Sequence, residues 1–388
     1  MRLVKEIASV IRDSNPDAVI IAGNSVATSI PELLLRNTEV NIAVMGEGDV
    51  TIVELVEALK EKRQLKEIEG IAFLDDDTFI QTPLRNPIPN LDTIGFPNWD
   101  IFKLEHYNEG MLKHTVDESE QSIVYPLNAA RGCPFNCTFC YHVFKGQGYR
   151  KYSENVVMEE FSRLYYKYKT TFIQFWDELT FPNIPSVERM VERLEKLPFR
   201  IGWQGITRTD LFEKEDIPLI RRMRNAGCKS IAFSIENASP EILKAMNKKI
   251  RLDSVTEHSH ALLEGEVTPL TSIIFGYPQE TLQTIKMTLV LCEKCNIFPS
   301  VGFLQPLPCT PIYEWSVQQG YITDEFEYLM QAGDRQDFHV NLTNMPTDEF
   351  VDAVISGMND LAKKMGLKFE NPLKTGVYQK PKKNTASL

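Results

Sequence analysis

Three thiols stand within eight residues: Cys133, Cys137 and Cys140, in the stretch NAARGCPFNCTFCYH from Asn128 to His142. Spacings of three and two residues are too short for separate elements, so the three share one loop. Thiolates are soft ligands that suit zinc and iron–sulfur clusters. A structural zinc takes four ligands, usually as two knuckle pairs. No second pair stands at a comparable spacing, although His142 offers a fourth ligand. A cubane cluster ordinarily takes four cysteines. Three would leave one iron open to a substrate or cofactor. Gly132 lets the backbone approach such a group closely, and Pro134 stiffens the turn.

The elements that must position this loop alternate between helix and strand. After about residue 122, buried-strand runs recur as SIVYPLNAA, TFIQFWD, RIGWQGI, KSIAFSI, TPLTSIIFG and FPSVGFLQP. Amphipathic helical runs fall between them. Six βα units in a row predict a partial parallel (β/α)6 barrel over 122–312. The cysteine loop then follows its first strand, at the face where such barrels build their sites. Residues 1–65 give about two βα units, DAVIIAGNS and VNIAVMGEGD each followed by a helix. They read as a partial doubly wound α/β domain. Residues 66–121 read as a hairpin, GIAFLDDDTFIQ, and a proline-rich linker. Residues 313–388 read as a C-terminal helical region, with MPTDEFVDAVISGMNDLAKKMG as its last helix, and a disordered basic tail. The whole is an α/β chain.

Composition narrows the class. The 388 residues carry a net charge of -11 with no long basic run before the tail. That argues against general nucleic-acid binding, which rests on Lys and Arg neutralising phosphates. No apolar run approaches the ~20 residues that cross a bilayer, and charges interrupt the N-terminus too often for a signal peptide. A cytoplasmic location is expected, where thiols stay reduced and clustered cysteines bind metal or react.

The pattern Cys133-x-x-x-Cys137-x-Phe139-Cys140 resembles the signature of the radical S-adenosylmethionine (SAM) enzymes. The resemblance implies that the three thiolates hold a [4Fe–4S] cluster whose fourth iron is chelated by SAM. It implies reductive cleavage of SAM to a 5′-deoxyadenosyl radical that takes hydrogen from a substrate. Phe139 would then lie by the adenine. Asp177 and Glu178 stand where the family's strand-end acids grip the SAM amino group, which needs acceptors. Arg208 is placed to pair with the SAM carboxylate. Ser234 and Glu236 match the pattern after the fourth strand, near the ribose or amino group. GYPQET from Gly276 resembles the family's Gly-x-Pro-Gly-Glu-Thr turn, with Gln279 for its second glycine. PLPCTP resembles Pro-x-Pro-Gly-Thr-Pro, with Cys309 where glycine is usual. Cys309 is read as a small filler or a substrate-facing thiol. Cys228, Cys292, Cys295 and Cys309 read as small buried residues, with an auxiliary cluster as the minor alternative.

The first domain resembles the second half of a cobalamin-binding domain found in one subgroup of that family. Its Gly46-Glu47-Gly48 turn is kept, and Asn24 stands for a glycine beside Ser25. These five residues are the candidates for facing cobalamin. The Asp-x-His-x-x-Gly motif that supplies a lower cobalt ligand is missing, and a purely structural cap is the competing reading. The expected activity is radical SAM chemistry on an unidentified small molecule or peptide, with a flavodoxin- or ferredoxin-type reductant. A cobalamin-dependent radical methyltransferase is the alternative within the class. An iron–sulfur electron carrier or a zinc-stabilised protein without turnover is the alternative outside it. The substrate pocket is expected between Tyr313 and the C-terminus.

Overall fold

The computed structural model describes residues 1–112, 122–367 and 374–375. The basic tail anticipated beyond Tyr378 lies outside the described residues. The N-terminal layer comprises α1 (Arg2–Ser14), β1 (Ile21–Ala22), α2 (Asn24–Ser29), α3 (Pro31–Asn37), β2 (Ile42–Val44), α4 (Gly48–Glu61), β3 (Ile71–Asp75) and β4 (Thr78–Gln81). Its sheet runs β1-β2-β3-β4, with β1 and β2 parallel and the rest antiparallel.

The hairpin expected in the linker is therefore half of this sheet. Ile42 pairs with Phe73 and Val44 with Ile71. The reason is burial: Ile71, Ala72 and Phe73 are all buried, and Ile71 and Phe73 pack with Ile42, Val44 and Leu55 in one apolar cluster.

The second layer starts with α5 (Glu105–Leu112) and β5 (Val124–Leu127). A short ribbon of β6 (Ala130–Arg131) and β7 (Arg150–Lys151) follows, then α6 (Glu154–Tyr168), β8 (Phe172–Phe175), α7 (Ile184–Leu194) and β9 (Gly202–Ile206). Next come α8 (Ile217–Asn225), β10 (Cys228–Glu236), α9 (Pro240–Ala245), α10 (Leu252–Glu264), β11 (Thr268–Phe275), α11 (Leu282–Lys294) and β12 (Ser300–Phe303). The six long strands form one parallel sheet in the order β5-β8-β9-β10-β11-β12. β5 and β12 do not pair with each other, so the sheet is an open half-barrel. Beyond it lie α12 (Pro311–Gln318), α13 (Glu325–Gln331), β13 (Asp337–Phe338), α14 (Thr347–Lys364) and β14 (Lys374–Thr375).

The helices start where the sequence caps them. Ser153 accepts from Val156 N for α6, Asn183 from Ser186 N for α7, and Ser239 from Ile242 N for α9. Such a cap contributes about 1 kcal/mol. The helices bury one face against the sheet around Trp203, Phe161, Phe175, Phe181 and Phe275, all fully buried. Each such side chain contributes roughly 1.5–3 kcal/mol.

The proline-rich linker is packed rather than free. Phe96 stacks on Tyr152 with centroids 4.7 Å apart, and Trp99 meets Tyr125 edge-on at 5.6 Å. Asp92 accepts from Ser153 N at 2.8 Å, and Arg163 donates to Pro97 O at 2.8 Å. The linker thus covers the exposed edge strand β5, which would otherwise invite pairing with another chain.

Candidate functional site

The cysteine loop hangs between β6 and β7, whose register pairs Arg131 with Arg150. Gly132 turns the chain at φ +85°, and a Cβ there would sit 2.2 Å from Gly148 O. No side chain fits, so glycine is required. Carboxylates from the end of β8 hold the loop's root. Asp177 Oδ1 accepts from Ala129 N at 2.8 Å and Ala130 N at 3.0 Å, and Glu178 Oε2 accepts from Gly132 N at 3.1 Å.

The loop's middle is tied to later strands. Thr138 N donates to Met246 O at 2.9 Å, and Thr138 Oγ1 is 3.0 Å from Tyr277 Oη. Asn247 Nδ2 donates to Asn136 O at 2.7 Å. Lys145 Nζ donates to Cys137 O at 3.2 Å and Cys140 O at 2.6 Å. The three thiols are half-buried and unpaired.

Charges surround them. Burial pushes the Cys137 thiol up, and the Lys248 cation works in the opposite sense. Burial likewise pushes Cys140 up to about 11. Glu236 lies in a left-handed conformation at φ +63° with its carboxylate 3.1 Å from Lys248 Nζ. Arg208 stacks its guanidinium 3.7 Å from the Phe135 ring centroid, donates to Lys249 O, and lies 3.5 Å from Asp210. Phe139 meets Tyr277 edge-on at 6.5 Å, and Ser234 Oγ is 2.9 Å from Ser272 Oγ. Glu178, Arg208 and Glu236 are thus brought to the cysteine loop or its immediate charges.

Among the described residues, no three His, Cys, Asp or Glu side chains are grouped as a single metal ion requires. That disfavours the zinc reading with His142 as fourth ligand, since His142 Nδ1 instead lies 4.0 Å from Glu178 Oε1. A four-iron cluster is a larger body, so its thiolates need not converge on a point. Three thiols on one loop, with a glycine cradle and adjacent cations, fit such a group.

The N-terminal layer meets this loop. Asn24, Ser25, Gly46, Glu47 and Gly48 line one cavity of about 400 Å³ together with Tyr141, His142 and Glu178. Asn24 and Gly46 both have positive φ, +67° and +71°, which explains why a glycine-like residue stands at each. Glu47 is not a free carboxylate. It is 2.7 Å from Arg150 Nη2 and accepts from Ile88 N at 2.7 Å. Asp49 takes a two-pronged bond from Arg131, at 2.8 and 3.0 Å. These ion pairs join the Gly-Glu-Gly turn to the β6–β7 ribbon. Arg131, Arg150 and Asp49 escaped sequence reasoning because their partners lie up to 103 positions away in the chain.

Several expectations are corrected. Asp177 is buried and its Oδ1 is occupied by backbone amides, so it positions the loop root and only Glu178 stays accessible. Burial pushes Asp177 up to about 7. Cys309 is exposed, with φ +62° and its Sγ 3.2 Å from Ser29 O, so it fills no interior space. Its left-handed backbone accounts for a glycine being usual there. Cys228, Cys292 and Cys295 are buried in the main core, in keeping with their reading as small buried residues. Tyr313 is buried, its hydroxyl bonded to Glu325 at 2.7 Å. A further apolar cavity, about 730 Å³, is walled by Trp99, Phe102, Leu104, Tyr107, Met111 and Trp176. Trp176 follows β8, so the linker, α5 and the first barrel strands build it together.

Residues 127–292 match the model of the radical SAM superfamily. The chain carries a radical SAM domain. It is 28% identical over 314 residues to an uncharacterised methyltransferase of Pyrococcus horikoshii, covering 80% of this chain and 66% of that one. It is 27% identical over 336 residues to the anaerobic magnesium-protoporphyrin IX monomethyl ester cyclase of Cereibacter sphaeroides, covering 84% and 53%. The chain therefore spans about half to two thirds of the length of these curated relatives.

Among solved structures it resembles the radical SAM methyltransferase TsrM of Kitasatospora setae, with cobalamin and a [4Fe–4S] cluster bound. The TM-score is 0.67 at 17% identity, over 82% of this chain and 61% of that one. It also resembles the cobalamin-dependent radical enzyme OxsB, at TM-score 0.61 and 19% identity, over 84% and 45%. At these identities the likeness is one of fold. No described helix is long and apolar enough to cross a membrane.

Proposed function

We propose that the chain is a radical SAM enzyme in which Cys133, Cys137 and Cys140 hold a [4Fe–4S] cluster. One observation carries this reading: three half-buried thiols share a loop at the C-terminal mouth of a parallel half-barrel, tied to segments that follow β8, β10 and β11. When bound there, the cluster supplies the electron that cleaves SAM to methionine and a 5′-deoxyadenosyl radical. The chain's own residues bind and orient. Glu178 offers a carboxylate to the SAM ammonium, Arg208 a guanidinium to its carboxylate, Phe139 a ring beside the adenine and Ser234 a hydroxyl at the sugar. Glu236 is held in place by Lys248, and Asp177 fixes the loop root. A one-electron reductant of flavodoxin or ferredoxin type completes the system, and a small molecule or peptide is the substrate.

The test is anaerobic reconstitution followed by EPR of the reduced protein. One cubane signal is expected, and added SAM should perturb it. A signal indifferent to SAM would make the chain an electron carrier instead. Cys137→Ala should abolish assembly while Cys292→Ala should not. With dithionite and SAM, slow release of 5′-deoxyadenosine is expected.

A second reading, a cobalamin-dependent radical methyltransferase, is favoured by the cavity in which Asn24, Ser25, Gly46 and Gly48 face the cysteine loop. The similarity to TsrM and OxsB supports it at the level of fold.

A further inference from the structure

We infer that the cavity between the linker and the first two barrel strands is the substrate site. Its ligand class is a planar, largely apolar ring system. This rests on the radical SAM reading for its chemistry but not for its binding.

The cavity of about 730 Å³ falls in the range that holds a drug-sized ligand. Its walls are mostly aromatic or aliphatic: Trp99, Phe102, Leu104, Tyr107, Met111 and Trp176. Three of these rings are left open to water, with Trp176 53%, Phe102 47% and Tyr107 59% exposed. Clustered exposed aromatics of this kind mark binding surfaces. Flat rings stack on such walls in offset or edge-on geometry.

Polar atoms contribute little to the walls. The indole nitrogen of Trp99 is buried away from the open space, so its ring and not its N–H forms the wall. The carboxamide of Gln174 lines the same cavity and accepts from Trp176 Nε1 at 2.9 Å. That bond fixes the Trp176 ring.

Position links the cavity to the radical site. Trp176 directly precedes Asp177 and Glu178, the two carboxylates that hold the cysteine loop's root. Its carbonyl accepts from Asn128 Nδ2 at 2.7 Å, and its N–H donates to Leu127 O at 3.0 Å. A ring stacked on Trp176 therefore sits at the end of β8, two residues before Glu178. Trp99, Phe102 and Leu104 of the linker wall this side.

The test uses acridine, a tricyclic ring with one acceptor nitrogen, added to the full chain at pH 8 with and without reconstituted cluster. Saturable one-to-one binding of equal affinity in both preparations is expected, read from acridine fluorescence. Trp99→Ala removes one aromatic wall and should weaken binding about fivefold. Trp176→Ala should weaken it about tenfold or more. Melting temperatures of both variants, read by circular dichroism, establish that they are folded. Non-saturable binding, or equal affinity in wild type and both folded variants, would overturn the site. Since the cluster-free protein is read separately, that result would leave the EPR test of the radical SAM reading untouched.

Discussion

Glu178 and Asp177 are adjacent carboxylates with opposite fates, and the difference is burial. Glu178 remains accessible at the cysteine loop, whereas Asp177 is sealed beneath it with two backbone amides on one oxygen. Glu178→Ala and Arg208→Ala should each weaken SAM binding roughly 10- to 100-fold, the worth of one charge-assisted hydrogen bond. The cluster's absorbance should persist. Equilibrium dialysis with SAM checks this, and unchanged affinity in both would remove these residues from the site. Asp177 yields a pH prediction. Its folded pKa, about 7, lies above the ordinary carboxyl value of 3.8. Between those values the folded state holds the proton that the unfolded chain releases. Its contribution to stability is full below about pH 4 and is lost as pH rises through 7. Asp177→Asn keeps an acceptor for Ala129 and Ala130 but cannot ionise. The drop in melting temperature from pH 5 to pH 8 should therefore shrink in this variant. It should not vanish, because buried Glu280 is also raised to about 7. An unaltered drop would show that Asp177 does not titrate there.

At the scale of elements, the β6–β7 ribbon carries two burdens at once. It closes the cysteine loop through Gly132 and anchors the N-terminal sheet through Arg131 and Arg150. Gly132→Ala should prevent loop closure, because φ +85° and the Gly148 carbonyl both exclude a Cβ. Iron incorporation should fall to near zero while circular dichroism stays close to wild type. Arg131→Ala leaves Asp49 without its two-pronged partner and should cost roughly 1 kcal/mol, because water screens the exposed carboxylate. Hydrogen exchange in α4 should accelerate before exchange in β9 or β10 does. The six barrel strands were legible because each is a short buried run between amphipathic helices. The placement of β3 and β4 was not, because their pairing depends on Ile42 meeting Phe73 across space, and a hairpin signal names no neighbour. The linker's packing was hidden for the same reason: prolines announce irregular backbone but not the edge strand it covers.

For the molecule as a whole, the N-terminal sheet and the half-barrel share the cavity between Gly46 and His142. At about 400 Å³ it holds a drug-sized ligand, and a corrinoid is far larger. The N-terminal sheet offers it the ends of β1 and β2, and Glu47 and Asp49 are already bound to arginines. This chain of 388 residues should therefore not retain stoichiometric hydroxocobalamin after desalting. Retained cobalt at one per chain would overturn that and make radical methylation the leading reading. The sequence by itself determined that three thiols are presented together, since cysteines at fixed short spacing must share a loop whatever surrounds them. It also determined the barrel, because periodicity and caps are local. Only the tertiary structure decided which carboxylate is buried, which arginines join the two layers, and that a proline-rich segment walls an aromatic cavity. Those outcomes depend on contacts between residues far apart in the chain, and local pattern carries no record of such pairs.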